Sequence, residues 1–477
     1  MAAIFVAERS FGEAEQTWFA SVSGDYNPMH IDALVARRTM AGRPVVHGIH
    51  VLIWALDSLI ANVPGLPALS SVKVSFEKMV YVGDTARVAV IRRDNEKARA
   101  EVMVGDVAVF VVDLAFGAAA AGGAAIPDGP SCHSTEPADL SFAQMETQMG
   151  RIPLPDDIST AAQRFPAVAA ALGVERVACL AKASYLVGMV CPGLHSIFRG
   201  LHLTVSEDGG DLRFHVKYAD EDYRLIRMAV SGGGWTGIVD AYARPEPAKQ
   251  ATIAAIAAKV APDEFSGASA LVIGGSRGLG EVVAKILAAG GAVVTITYAV
   301  GEADARRVQS DIAAHGGHCD IMRYDVRADA KDQVAALSQV PTDLYYMATP
   351  QIFQRAEAVF STTRLQDFLA FYVTGFSDLC QALKPEAGLG MGIYYPSSVS
   401  IDDRPANMTE YTMAKAAGEV LCADMTAFGR WSRIVMTRLP RLPTDQTATL
   451  YDDDAADPVE AMLPIVRVVQ GAGKTSG

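Results

Sequence analysis

Two stretches of this chain repeat one pattern at nearly constant spacing, and this limits the architecture more than any other feature. In the first, an apolar run of helical period from Val51 to Ala61 ends at Pro64-Gly65-Leu66, and strand-like residues follow from Ser71 to Phe76. In the second, Lys182 to Val190 ends at Pro192-Gly193-Leu194 and leads to Leu201 to Val205. The Pro-Gly-Leu landmarks lie 128 residues apart, and a second pair, Val112-Asp113 and Val239-Asp240, lies 127 apart. A Pro-Gly after a helix is common by itself. Two landmarks at almost one offset point to duplication. Each copy continues with alternating strands, such as Ala86 to Arg92 and Asp211 to Lys217. One long helix followed by antiparallel strands is an α+β unit, expected here twice.

At 477 residues the chain has room for about three domains of the usual size. Gly117 to Pro137 and Arg244 to Phe265 are rich in small residues and proline and read as connectors, the second with an Ala-rich piece expected to be helical. They give a first repeat at 1–125, a second at 138–243, a linker at 244–265 and a last segment at 266–477. That last segment alternates strand and helix, which predicts a parallel α/β domain. Half of the residues are hydrophobic, so the chain is not mostly disordered. A net charge of −13 argues against a general nucleic-acid binder, which needs a basic face. Six scattered cysteines with no Cys-x-x-Cys pair predict buried thiols in a reducing compartment and no metal site. The start, MAAIFVAERS, does not read as a secretory signal. The most apolar window, Val107 to Ile126, contains Asp113 and opens with β-branched residues. It reads as a strand entering a connector, not as a membrane span. A soluble, cytoplasmic protein is expected.

Ahead of the first repeat's helix stands Ser23-Gly24-Asp25-Tyr26-Asn27-Pro28-Met29-His30. Pro28 suits a first helical position and Asn27 its cap. Asp25 then lies just before the helix and His30 in its first turn, so both can face one cleft. A carboxylate and an imidazole around one water form a general base/acid pair; helix capping alone is the other reading of Asp25 and Asn27. Val45-Val46-His47-Gly48-Ile49-His50 then leads into the long helix. A glycine at a helix start leaves N–H groups free to polarise a carbonyl oxygen. Phe76 to Thr85, FEKMVYVGDT, predicts a strand and a Gly-Asp turn.

Together these pieces resemble the MaoC-like family of (R)-specific enoyl-thioester hydratases and dehydratases, which have the hot-dog fold. That family carries Asp-x-Asn-Pro-x-His, then His-Gly before the central helix, then a Phe followed by Gly-Asp-Thr. The resemblance implies that Asp25 and His30 are the dyad that handles the water and the α-proton, and that the Gly48 N–H holds the thioester oxygen. A structural role is expected for His47, and none is assigned to His50. Lys78-Met79-Val80 stands where the family usually has a proline. Counting 128 on from Asp25 and His30 reaches Pro153 and Ile158, with Asp156 and Asp157 nearby and no histidine. The whole resembles a double hot dog whose silent second half completes the pair and shapes an acyl tunnel.

In the last segment, the buried-strand pattern Ala270 to Ile273 runs into Gly274-Gly275-Ser276-Arg277-Gly278-Leu279-Gly280 and an apolar helix to Ala289. Such glycines let the backbone approach a pyrophosphate, whose charge a helix N-terminus favours. Tyr411 and Lys415 lie one helical turn apart and share a face, and Ser398 stands thirteen residues before Tyr411. The set resembles the short-chain dehydrogenases/reductases. It implies that Tyr411 exchanges a proton with the substrate oxygen, Lys415 lowers the Tyr411 pKa and holds the ribose, and Ser398 bonds the substrate oxygen. Gly274, Ser276, Arg277, Gly278, Leu279, Gly280, Tyr298, Asp325, Val326 and Lys415 would surround the cofactor. The strand Val294 to Tyr298 ends without the acid that binds the 2′-hydroxyl of NAD, and Arg277 adds a basic group, so NADP(H) is favoured. The sequence departs from the family at Ile273, at Met347-Ala348-Thr349-Pro350, at Tyr372 in place of an Asn, and at Pro440-Arg441.

The two resemblances imply a bifunctional enzyme on acyl-CoA or acyl-carrier-protein thioesters, assembled as a dimer or tetramer. One site would interconvert enoyl and 3-hydroxyacyl groups; the other, with NADP(H), 3-hydroxyacyl and 3-oxoacyl groups. Three alternatives stay open: one live site with the reductase as a cofactor-binding scaffold, a hot-dog thioesterase, and a non-catalytic binder of acyl carriers.

Overall fold

In the computed structural model the described residues are 3–118, 126–155, 159–353, 359–388, 390–429, 431, 433–447 and 456–471. The chain divides into two units, one over Met1–Glu246 and one that begins at Pro247.

The first unit holds β1 (Ile4–Ser10), β2 (Leu69–Phe76), β3 (Thr85–Arg93), β4 (Lys97–Val104), β5 (Val107–Phe116), β6 (Met149–Ile152), β7 (Ser196–Val205), β8 (Leu212–Asp220), β9 (Leu225–Gly232) and β10 (Trp235–Ala243). They form one ten-stranded sheet in the order β1-β3-β4-β5-β2-β7-β10-β9-β8-β6. Every neighbouring pair is antiparallel. Outward from the β2–β7 seam the two sides carry matching strands, and the register matches too. Lys73 faces Asp113 on one side and Gly200 faces Asp240 on the other, each 127 residues from its counterpart. At the seam a Cβ on Gly200 would lie 2.4 Å from Val74 O, so the two halves meet where a side chain cannot fit.

Each half contributes a central helix, Gly48–Asn62 and Val174–Tyr185, and the second runs on as a wider π-turn over Leu186–Val190. Ile49, Val51, Leu52, Ile53, Ala55 and Leu56 are all fully buried, so the first helix is apolar around its circumference and sits inside the core. The two helices pack on one another. Asp57 Oδ1 of the first accepts the N–H groups of Ala167 (2.8 Å) and Val168 (3.0 Å), which open the helix Pro166–Leu172. These N–H groups have no partner inside their own helix, so Asp57 satisfies them across the repeats.

One local expectation is corrected. The predicted strand over Phe76 to Thr85 stops at Phe76, because Glu77 and Lys78 both donate to Val109 O and the chain peels away from β5. Residues 80–82 bond the 44–46 segment instead: Tyr81 bridges Val45, and Val46 N–H bonds Val80 O at 2.8 Å. The Ala-rich piece of 244–265, expected to be helical, forms the helix Ile253–Ala257, and Ile253, Ile256, Val260 and Phe265 are buried in the core of the second unit. Spaced apolar residues there outweigh the prolines. Residues 119–125 of the first expected connector lie outside the described residues; Val107–Phe116 is strand β5, and no helix among the described residues is long and apolar enough to cross a membrane.

The second unit holds β11 (Ser269–Ile273), β12 (Val293–Tyr298), β13 (His318–Arg323), β14 (Asp343–Tyr346), β15 (Gly392–Ser398) and β16 (Arg433–Leu439). All pairs are parallel, in the order β13-β12-β11-β14-β15-β16. The order reverses between β11 and β14, and in such sheets ligands bind at the carboxyl ends beside that switch point. Separate apolar clusters cover its two faces.

Candidate active sites

Asp25 sits in a turn that its neighbours lock. Its Oδ1 accepts the Asn27 N–H at 3.1 Å, and Asn27 Oδ1 in turn caps the four-residue helix Pro28–Ile31 through the Met29 N–H. His30, in that helix, places Nδ1 2.7 Å from Val45 O. A carbonyl only accepts, so Nδ1 carries a proton and Nε2 is the ring nitrogen left for the cleft. Nε2 faces Asp25 Oδ2 at 4.0 Å. That gap is too long for a direct hydrogen bond and fits one shared water at about 2.8 Å from each.

The second repeat supplies the other wall. Ser184 Oγ, on the second central helix, donates to Asp25 Oδ2 at 2.7 Å. A Cβ on Gly188 would lie 2.2 Å from Asp25 Oδ1, so only glycine leaves room for the carboxylate. Asn27 Nδ2 donates to Gly188 O (2.9 Å) and Gly193 O (3.1 Å). Asp25 is 2% exposed, and burial raises its pKa against the opposing pull of the His30 charge, the Ser184 hydroxyl and the Asn27 N–H. Sequence reasoning missed Ser184 and Gly188. The available signal was two small residues, four apart, inside an apolar helical run. Of the second repeat's nearest counterparts to the dyad, Asp156, Asp157 and Ile158 lie outside the described residues, while Pro153 is described.

His47 is fully buried, with Nε2 3.1 Å from Asp25 O and Nδ1 3.0 Å from Gln16 Oε1. Burial, then the His30 charge, hold its pKa well below the usual value, and its ring stacks on His30 at 3.9 Å. As a neutral ring it donates through only one of its two nitrogens, and it braces the His30 ring by stacking. Asp25, His30 and His47 offer ligand atoms within 4.8 Å of one another. Both His47 nitrogens already face protein oxygens, so no metal is assigned there. His50 stacks flat on Phe19 at 4.7 Å and has no hydrogen-bond partner for either ring nitrogen among the described residues; burial pushes its pKa down to about 3. Gly48 is the first residue of the central helix, so its N–H has no acceptor within the helix. A Cβ there would lie 3.2 Å from the Phe76 ring.

In the second unit, Gly274 and Gly278 have φ of +77° and +57°, the left-handed region that favours glycine. A Cβ on Gly280 would lie 2.2 Å from Gly274 O, which closes the turn tightly on the helix Gly278–Ala289. Thr297 Oγ1 accepts the Gly274 N–H at 3.0 Å and ties the turn to β12. Ser276 is buried and Leu279 half-buried. This is a backbone cradle at a helix N-terminus, a fit for a dinucleotide's pyrophosphate. Arg277 is already engaged by Asp445, at 3.2 Å. Tyr298 ends β12 half-buried, and Val326 is buried beside the exposed Asp325, whose carboxylate accepts the Arg327 N–H at 2.9 Å.

Ser398 ends β15, and Tyr411 and Lys415 lie on the helix Thr409–Ala427. Burial raises the Tyr411 pKa, and the Ser398 side chain opposes the rise. Lys415 Nζ donates to Pro396 O at 2.7 Å and lies 3.8 Å from the Tyr372 ring centroid. Burial lowers its pKa to about 7. Two departures from the family pattern touch one another here, since the Tyr372 hydroxyl meets Thr349 Oγ1. Tyr372 O also accepts from Tyr395 at 3.0 Å.

Comparison with known proteins decides the families. The profile described as "MaoC like domain" matches residues 3–112, and "short chain dehydrogenase" matches residues 268–428. The (R)-specific enoyl-CoA hydratase of Aeromonas caviae is 38% identical over 97 residues, 19% of this chain and 69% of that protein. The chain joins a MaoC-like domain to a short-chain dehydrogenase domain. An uncharacterised oxidoreductase of Escherichia coli (strain K12), YgfF, is 26% identical over 216 residues, 42% of this chain and 86% of its own length. Among solved structures, a 3-oxoacyl (acyl-carrier-protein) reductase from Agrobacterium tumefaciens C58 with NADP bound has 22% identity and a TM-score of 0.39, covering 43% of this chain and 88% of that one. The Pseudomonas aeruginosa RhlG/NADP complex has 21% identity and a TM-score of 0.40, covering 45% and 94%. The MaoC-like domain thus holds Asp25, His30 and Gly48, and the dehydrogenase domain holds the glycine turn and the Ser398–Tyr411–Lys415 set.

Proposed function

We propose that this chain is a bifunctional acyl-thioester enzyme. The MaoC-like domain adds water to trans-2-enoyl thioesters, or removes it from (R)-3-hydroxyacyl thioesters. The dehydrogenase domain interconverts 3-hydroxyacyl and 3-oxoacyl thioesters with NADP(H). The observation that carries the reading is the buried Asp25–His30 pair, 4.0 Å apart, a separation that one bridging water spans. In hydration that water gives one proton to the pair as its oxygen bonds C3, and the pair returns a proton to C2. Water is added across the double bond, and both groups end as they began. The Gly48 N–H, at the positive end of the central helix, stabilises charge that develops on the thioester oxygen.

In the second domain the glycine cradle, Tyr298, Val326 and Lys415 are the residues to hold the cofactor. Arg277 and the absence of an acid at the end of β12 support NADP(H). NADPH, when bound, supplies the hydride. Tyr411 gives its hydroxyl proton to the forming alkoxide, Ser398 bonds the same oxygen, and the Lys415 charge eases loss of the Tyr411 proton. The shared 3-hydroxyacyl intermediate is a physical reason for the fusion, since tethering raises effective concentration.

The test follows enoyl absorbance when pure protein meets a short trans-2-enoyl-CoA, with Asp25→Asn and His30→Ala as controls. Hydration is expected in the wild type and lost in both variants. Added NADP+ should then draw the product on to a 3-oxo thioester. Release of free thiol instead of hydration would replace this reading with thioester hydrolysis.

A further inference from the structure

Residues 441–447 follow β16; hydrogen bonds from Gln250 and Ile352 anchor them to the rest of the second unit, and another closes the loop on itself. Pro443 O accepts from Gln250 at 3.0 Å, Gln446 Oε1 accepts the Ile352 N–H at 2.8 Å, and Thr447 Oγ1 accepts the Thr444 N–H at 2.8 Å. The Thr444 methyl reaches the glycine turn itself: a Cβ on Gly278 would lie 3.6 Å from it. The loop so held carries Asp445, 13% exposed, to the Arg277 guanidinium at 3.2 Å. Arg277 immediately precedes the helix Gly278–Ala289 and is the one basic residue between Gly274 and Gly280.

We propose that Asp445 sets the cofactor preference of the dehydrogenase domain by competing with the 2′-phosphate of NADP(H) for Arg277. This rests on the reading that the glycine turn takes a dinucleotide. A carboxylate fixed by an anchored loop acts at high effective concentration. An arriving 2′-phosphate must displace it and stay beside a like charge, whereas the 2′-hydroxyl of NAD(H) meets neither cost. Asp445 is therefore a specificity residue that makes the domain discriminate between the two cofactors less than Arg277 alone would.

Equilibrium titration of the full chain with NADPH, NADH and 2′,5′-ADP tests this without turnover. Asp445→Asn should tighten NADPH and 2′,5′-ADP about tenfold, the scale of one charge contact, and should move NADH by no more than about twofold. Asp445→Glu keeps the charge and should bind like the wild type. Arg277→Ala should weaken NADPH and erase the gain in the double variant. Should Asp445→Asn unfold early in a thermal melt, Asp445→Ser carries the same expectation. Equal shifts for NADPH and NADH, or no shift for either, would overturn the role of Asp445 while leaving the dinucleotide site standing. Failure of the wild type and all variants to bind any of the three nucleotides is a different result, and overturns the dinucleotide reading together with this proposal.

Discussion

The Asp25 site and the Tyr411 site bury opposite charges, and they recruit their support differently. At the first, a carboxylate is desolvated, and the groups that hold it come from two repeats: Asn27 and His30 from one, Ser184 and Gly188 from the other. At the second, an ammonium is desolvated over aromatic rings, and Ser398, Tyr411, Lys415 and Tyr372 all belong to one parallel sheet and its helices. A site assembled across a seam depends on remote residues that touch no substrate. A site assembled within one sheet depends on a short stretch of chain. The contrast yields graded expectations.

The largest effects should separate the two sites. Asp25→Asn or His30→Ala should lower hydration by roughly 10²–10⁴-fold, the usual worth of a positioned acid or base, and leave NADPH oxidation intact. Tyr411→Phe should do the reverse, with both rates read by absorbance. Loss of both activities in any one variant would break the separation. Next, Gly188→Ala should cost about 100-fold in hydration, since its Cβ would displace Asp25 by an ångström or more. A wild-type rate in that variant would mean that the second repeat does not shape the site.

The buried charges also predict opposite responses to pH. Lys415 has a folded pKa of about 7, below its unfolded value, so the unfolded state binds more protons between the two. Wild-type stability should therefore fall as pH drops from about 10 towards 7. Lys415→Met should melt higher by a few degrees at neutral pH, roughly the effect of 1 kcal/mol, and the gap should close on the alkaline side. Asp25 has a raised folded pKa, so its contribution is present below the ordinary carboxylate range and lost as pH rises through the raised value. Asp25→Asn should thus be about 0.5–2 kcal/mol more stable than wild type at pH 7 while inactive in hydration, a trade expected of a buried catalytic charge. The smallest effect is Ser184→Ala. Losing a hydrogen bond to the charged carboxylate should move the acid limb of the hydration profile up by about one pH unit or less, with the plateau rate reduced only a few-fold.

What could be read from the sequence followed locality. Asp25 and His30 are five residues apart, and Tyr411 and Lys415 four, so a short motif holds each pair. The repeat was legible because its strand register keeps an offset of 127. Ser184 reaches Asp25 across 159 positions and Asp445 reaches Arg277 across 168, and no local pattern marks such partners. Phe76 to Thr85 reads as a strand and a turn because residues 80–82 do pair, but their partner is the 44–46 segment. The prolines of 244–265 suggested a connector, whereas Ile253 and Ile256, three apart on one helix face, dock it.

The β2–β7 seam has one more consequence. In two separate chains such a seam would form and break with protein concentration; within one chain its association is unimolecular and survives dilution. The two halves are also no longer copies of one gene segment, so a substitution in one is not imposed on the other. That freedom lets one half specialise as Ser184, Gly188 and the wall behind them while the other keeps Asp25 and His30, an asymmetry closed to a symmetric dimer, where every change appears twice.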